Sequence, residues 1–182
     1  LRECAKSDMD CLYAFLDAAD RTTVECAEGN GFTLVGTRVT YECSGAPPTT
    51  LSSVKMRPAT NDDLPVLTKL SEALSAESRF MRDRRFGPAA ARRLYRRWVE
   101  TLVSETVPTT TVLVAVDNGV VVGFVAARLK DDIVHIELVI VGADARGKGI
   151  AHTLMSECMR AFAHRGFSRF RVVTQGSNIA AQ

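Results

Sequence analysis

Val139-Ile-Val-Gly-Ala-Asp-Ala-Arg-Gly-Lys-Gly-Ile-Ala151 is the stretch that decides how the rest of the chain is read. An apolar, β-branched run ends in a loop where glycines alternate with Arg146 and Lys148, and a helical pattern begins at once. Glycines let backbone N–H groups come close to a ligand. A new helix offers unpaired N–H groups and the positive end of its dipole. The two cations add charge, and a pyrophosphate is the natural occupant.

Outward from the loop, residues 133–141 read as a strand. Residues 149–165 read as a helix with Ile150, Leu154, Met155, Cys158 and Phe162 inward, and Gly166 as its stop. Upstream, 111–117 and 120–129 are Val-rich strands joined by Asn118-Gly119, a strong hairpin signal because both residues must take positive φ. Asp131-Asp132 is the next turn. Residues 170–174 form a further strand, and Ser177 reads as the cap of a following helix. Before the meander come a short strand at 54–57, a helix announced by the cap cluster Thr60-Asn61-Asp62-Asp63, and a second helix from Pro88. That second helix carries Ala91, Leu94, Tyr95, Trp98 and Leu102 on one face, and Arg92, Arg93, Arg96, Arg97 and Glu100 on the other. The class is α/β, with a mixed α+β sheet.

Two patterns compete for the loop. Gly142-x4-Gly147-Lys148 matches the start of a nucleotide P-loop. However, Gly149 stands where that loop needs a hydroxyl for Mg²⁺, and the preceding strands form hairpins rather than a parallel sheet. Arg146-x-x-Gly149-x-Ala151, in the element order just given, resembles the acetyl-CoA loop of the GCN5-related N-acetyltransferase (GNAT) superfamily. The similarity covers residues 54–182. It implies that acetyl-CoA is the co-substrate. The backbone of Val139, Ile140 and Val141 would pair with the pantetheine arm like an added strand. The amides of Arg146, Gly147, Lys148, Gly149, Ile150 and Ala151 would wrap the pyrophosphate, and Asn178 would touch CoA near its sulfur end. No metal is expected.

Acyl transfer from a thioester needs a neutral amine, a base to take its proton and a donor for the oxyanion. The resemblance puts that donor at a backbone amide near Val139. Glu137 is the candidate base, and strand alternation places it on the face of Val139. His135 shares that face one strand period earlier and is a weaker candidate. The family's general acid, a Tyr in a Leu-Tyr-x-x-x-Gly-Phe stretch, would fall beyond Gln182, and none of Tyr13, Tyr41 and Tyr95 takes its place.

The family binds its acceptor amine between the first two helices. From Arg79 to Arg97 the chain has eight Arg and a single acid, Asp83. Arginine suits phosphate through its planar fork of donors. Arg79, Phe80 and Asp83 are the acceptor candidates, with Phe80 and Phe86 able to stack on a base or a sugar. The Arg residues of the second helix read as a solvated face. Ser78-Arg79-Phe80-x-x-Asp83-x-Arg85-Phe86 and Leu94-Tyr95-x-x-Trp98 also resemble the nucleotide-amino-sugar acetyltransferases typified by dTDP-fucosamine acetyltransferase. Gly31-Phe32-Thr33-Leu34-Val35 resembles the end of their small N-terminal domain. The implied reaction is N-acetylation of a nucleotide-linked amino sugar by direct attack on the thioester. The alternatives are another small-molecule or protein amine, or a non-catalytic acetyl-CoA-binding module.

Composition sets the outer bounds. The chain has 182 residues, 46% hydrophobic and 24% charged, with 23 Lys and Arg against 21 Asp and Glu. A net charge of +2 argues against a protein made mainly to bind nucleic acid. No apolar run reaches ~18 residues, so no membrane span is expected. Cys4, Cys11, Cys26, Cys43 and Cys158 are too widely spaced for a zinc site and read as reduced thiols in a cytoplasmic protein. The Gly- and Pro-rich stretch from Ser44 divides the chain into a partial small βαβ domain at 1–43, a linker at 44–53 and the transferase domain at 54–182. Leu1 in place of Met, and a final helix barely begun, read as a fragment that alone would bind CoA poorly and not turn over. The partners expected are a small-molecule amine and a second copy in a homodimer, with neither nucleic acid nor membrane.

Overall fold

The computed structural model describes residues 11–49, 54–75, 78–104 and 109–181. Cys4, the second half of the expected linker, Ala76 and Glu77 of the helix connection, and Gln182 lie outside them. The chain divides into two compact units, Leu1–Leu34 and Val35–Gln182.

In the first unit, helix α1 spans Arg21–Gly29. Asp20 caps it, its Oδ1 accepting the Thr23 N–H at 3.1 Å, and Gly31 at φ +82° turns the chain away. Among the described residues the first strand of the expected βαβ domain is not seen: residues 11–17 have no regular structure, and Leu12, Phe15 and Leu16 are exposed.

The second unit is built on strands β1 (Arg38–Ser44), β2 (Lys55–Pro58), β3 (Thr110–Asp117), β4 (Val120–Lys130), β5 (Ile133–Val141) and β6 (Arg169–Gln175). They form one sheet in the order β1-β6-β5-β4-β3-β2, with β5 and β6 parallel and every other pair antiparallel. The division of the chain thus falls after Leu34, nine residues before the expected boundary at 43. The reason is hydrogen bonding. All seven residues of β1 pair with β6, which draws into the sheet a segment expected in the small domain.

Helices cover both faces: α2 (Leu64–Ser75), the short α3 (Arg79–Arg82) and α4 (Pro88–Ser104) on one, α5 (Ile150–Ala163) on the other. Phe124 and Ala126 of β4 pack with Leu67, Tyr95, Val99 and Leu102 on the α2–α4 face. Val125 and Ala127 pack with Ile150, Leu154, Cys158 and Phe162 on the α5 face. A strand buried on both sides has no polar alternation, which is why β4 reads as a continuous apolar run. Full burial of a Leu or Phe contributes roughly 1.5–3 kcal/mol. The two hairpin turns form as read, Asn118 and Gly119 at φ +50° and +81°, Asp131 and Asp132 at φ +50° and +59°. This antiparallel meander excludes the P-loop reading.

Two irregularities shape the centre of the sheet. Ala126 pairs with Leu138 but Ala127 with Ile136, so Glu137 is an extra residue, a β-bulge. In addition, β5 and β6 pair only at Val134–Phe170, His135–Arg171 and Ile136–Val172. Pairing stops at the residue before the bulge, as expected where a bulge raises local twist and bends the strand. Residues 137–141 keep β4 on one side and have no β6 partner on the other.

After β6, where Ser177 reads as a helix cap, residues Ile179–Ala181 make a 3-10 turn.

Candidate active site

The glycine loop takes the form its sequence asks for. Gly142 leads into a 3-10 turn at Ala143–Ala145, and Gly147 and Gly149 take left-handed φ of +75° and +71°. Gly149 is the N-cap of α5, whose first helical bond runs from Thr153 N to Gly149 O at 3.0 Å. The amides of residues 150–152 are therefore the unpaired donors of a helix start. The buried Thr153 hydroxyl also donates to Gly149 O, at 3.1 Å, and pins the turn. Arg146, Lys148 and Asp144 are all exposed, leaving the loop one positive charge in excess. Arg146 Nε donates to Val141 O at 3.2 Å, so this side chain clamps the loop to the end of β5.

Beside the loop lies the free edge of β5. Beyond Ile136 this edge has no β6 partner, and apart from the Val141 carbonyl, which Arg146 holds, it can offer alternate N–H and C=O groups to an extended, amide-bearing ligand. Val139, Ile140 and Val141 lie on this edge. Gly123 makes their position possible: a Cβ there would come within 2.7 Å of Ile140 O.

The bulge overturns one expectation. Glu137 does not share a face with Val139. Val139 and Val141 pack against the α5 cluster, whereas Glu137 points to the α2–α4 side. There its Oε2 accepts the Trp98 indole N–H of α4 at 2.9 Å, and its Oε1 lies 3.7 Å from Arg128. The side chain is only 19% exposed. His135 is register partner to Arg128 on β4 and Arg171 on β6. Arg171 in turn holds Glu42 of β1 at 2.6 Å.

The acceptor candidates fare unevenly. Arg79 lies in α3, capped by Ser78, with its guanidinium carbon 4.3 Å from the Phe80 ring centroid. Phe80 lies against Phe86, with ring centroids 5.0 Å apart, and packs, partly buried, against the α2–α4 core. Asp83 follows directly on α3. It is buried, its Oδ1 accepts the Arg85 N–H at 2.9 Å, and its carbonyl accepts from Phe86 and Gly87. Arg82, Arg84 and Arg85 are exposed. On α4 the arginines behave as read, on the exposed face, with Arg96 on Glu72 at 2.7 Å and Arg97 near Glu100 at 3.7 Å. Tyr95 is buried beneath them; burial raises its phenol above the ordinary value, with a Ser78 hydrogen bond and the Arg79 charge acting the other way.

Asn178 follows β6, its N–H donating to Gln175 O at 2.9 Å and its side chain half-buried. Gly36 and Thr37, ahead of β1, close on the same strand end: Gly36 lies against Arg79 and Gln175, and Gly176 N donates to Thr37 O at 3.0 Å.

The model of the Acetyltransferase (GNAT) family matches residues 71–182, more than half of the chain. The chain belongs to the GNAT family. Its enzyme class is therefore acetyl transfer and its co-substrate acetyl-CoA. No curated protein matches the sequence. Among solved structures, the fold is similar to PaiA N-acetyltransferase from Thermoplasma acidophilum in complex with coenzyme A, at TM-score 0.61 and 15% identity over 71% of this chain and 84% of that one. It is similar to a GCN5-related N-acetyltransferase from Sphaerobacter thermophilus, at 0.60 and 18%, over 89% and 50%. A functionally unknown conserved protein from Staphylococcus epidermidis gives 0.64 and 17%, over 91% and 61%. The chain thus spans only half to three-fifths of two of these relatives.

The candidate site draws on β5 and the loop that follows it, on Trp98 of α4 and on Arg128 of β4. The loop and β5 were legible. Trp98 and Arg128, which hold Glu137, were not, because they lie 39 and 9 residues from it and follow no short-range pattern. Among the described residues, no helix is long and apolar enough to cross a membrane, and no group of three or more His, Cys, Asp and Glu is placed to hold a metal ion.

Proposed function

We propose that this GNAT enzyme acetylates the amine of a nucleotide-linked amino sugar. The observation that carries the acceptor class is the connection between α2 and α4. Arg82, Arg84 and Arg85 project outward there, while the only acid among them, Asp83, is turned inward onto a backbone N–H. That surface is positive and suited to a diphosphate. It disfavours cationic acceptors such as polyamines or aminoglycosides.

In this reading the loop amides of residues 146–151 take the CoA pyrophosphate, the free edge of β5 takes the pantetheine, and Asn178 lies toward the sulfur. Glu137, turned to the acceptor side by its bulge, is the base. The amine nitrogen attacks the carbonyl carbon, a C–N bond forms, and the nitrogen's proton passes to Glu137 directly or through one water. The oxyanion draws on a backbone amide near Val139. The C–S bond then breaks and the thiolate leaves to be protonated.

The test is turnover by the full-length protein of a panel holding dTDP- and UDP-linked amino sugars, polyamines, aminoglycosides and peptide N-termini. Acetylation of the sugar nucleotides supports the reading. Activity confined to another amine removes the acceptor class and leaves the chemistry. Absence of any acetyl transfer, with acetyl-CoA still raising the Tm, would favour a binding module.

A further inference from the structure

We infer that Trp98 is a positioning residue for Glu137, and that Oε1 is the carboxylate oxygen that receives the proton; this rests on Glu137 acting as the base. The two oxygens of Glu137 are not equivalent. Oε2 is committed to the Trp98 indole at 2.9 Å. Oε1 stands 3.7 Å from Arg128, a charge contact longer than a hydrogen bond, and among the described residues no donor bonds to it. Its lone pairs are the ones left for an amine or a water.

Both neighbours are inert to protons. An indole N–H only donates, and a guanidinium stays charged. Neither can take the proton in place of Glu137 or pass it on, so they hold the carboxylate without competing for its task. The anchor is rigid at its own end. The Trp98 ring lies 5.8 Å from that of Tyr95 and packs against the core cluster beneath α4. The bulge explains why an anchor is needed. It removes Glu137 from the regular ladder, so no backbone alternation fixes the side chain, and a hydrogen bond from the facing helix does.

Trp98 is the single Trp of the chain, which supplies a direct readout. In the full-length protein, the Trp98 indole N–H resonance, assigned by its loss in Trp98→Phe, should move and exchange faster with solvent in Glu137→Ala, which removes the acceptor. An unchanged resonance would overturn the contact and the inference with it. For function, acetyl-CoA hydrolysis serves as the probe reaction, with water standing in for the amine. Trp98→Phe keeps the ring and loses the donor. It should lower kcat about tenfold while leaving the KM for acetyl-CoA alone. Added to Glu137→Gln, it should lower kcat no further, because the residue it positions has already been disabled. A full additive loss in the double variant, or unchanged kcat in Trp98→Phe, sinks the positioning role. An unchanged kcat in Glu137→Gln instead sinks the base assignment, and the two failures are told apart.

Discussion

Glu137 and Val139 stand on opposite faces of one strand although only Leu138 lies between them. Regular alternation would put them on the same face. The extra residue at Glu137 reverses the phase, and the pairing of β5 with β6 ends just before it. One irregularity thus ends the pairing with β6, leaving a strand edge, and turns a carboxylate toward the opposite side.

Replacing that carboxylate isolates its task. Glu137→Gln keeps the shape and an acceptor for the Trp98 indole but cannot take a proton. Its kcat should fall by about 10²–10⁴, the usual worth of a positioned general base. The KM for acetyl-CoA should stay put, measured by steady-state kinetics on the acceptor found in the panel. A loss shared equally by KM would point to binding instead.

The loop is most exposed to change at Gly149, which sits at φ +71° as the N-cap of α5. Gly149→Val forces a β-branched residue into the left-handed region, at a cost of about 1–2 kcal/mol, and places a side chain among the donors. Calorimetric titration should show acetyl-CoA affinity falling at least tenfold, with a lower Tm. Unaltered affinity would remove the loop from the CoA site.

Charge reversal tests the acceptor surface separately. Arg84→Glu combined with Arg85→Glu should raise the KM for a dTDP-linked amino sugar and leave that for acetyl-CoA unchanged. Added salt should shrink the difference between variant and parent. Equal effects on both substrates would mean a folding defect.

Acid stability carries a fourth prediction. The hydrogen bonds from Arg57 to Asp63, at 2.7 and 2.8 Å, chiefly hold that carboxyl down to about 2, aided by the Thr60 N–H. The folded value is below the unfolded one near ~4, so this stabilisation is full above that range and is lost as pH falls through about 2. Chemical denaturation should show about 2 kcal/mol disappearing between pH 5 and pH 2, after allowance for the solvent-facing side of Arg57. In Asp63→Asn that pH dependence should be absent.

Thiol labelling provides the fifth. Burial pushes the Cys158 thiol up to about 12, whereas Cys11, Cys26 and Cys43 are exposed. Brief alkylation of the native protein at pH 8, followed by peptide mass analysis, should modify those three and spare Cys158. Early modification of Cys158 would mean that α5 opens readily.

The sequence by itself determined the elements of the sheet's meander, the helices α2, α4 and α5, and the glycine loop. Asn118-Gly119, the capping cluster before α2, Pro88 at the start of α4 and the glycines at 147 and 149 are local signals, set by φ preferences and end-group hydrogen bonding, and they are legible wherever they occur. Only the tertiary structure decided which way the functional groups face. Alternation assumes an unbroken ladder, and nothing in His135-Ile-Glu-Leu-Val139 announces the bulge, because a bulge is fixed by the register of two strands rather than by either one. The partners of Glu137 come from β4 and α4, and β1 joins the sheet by pairing with a strand more than 120 residues away. Such pairings are long-range hydrogen bonds, and a short window of sequence contains only one of their two ends.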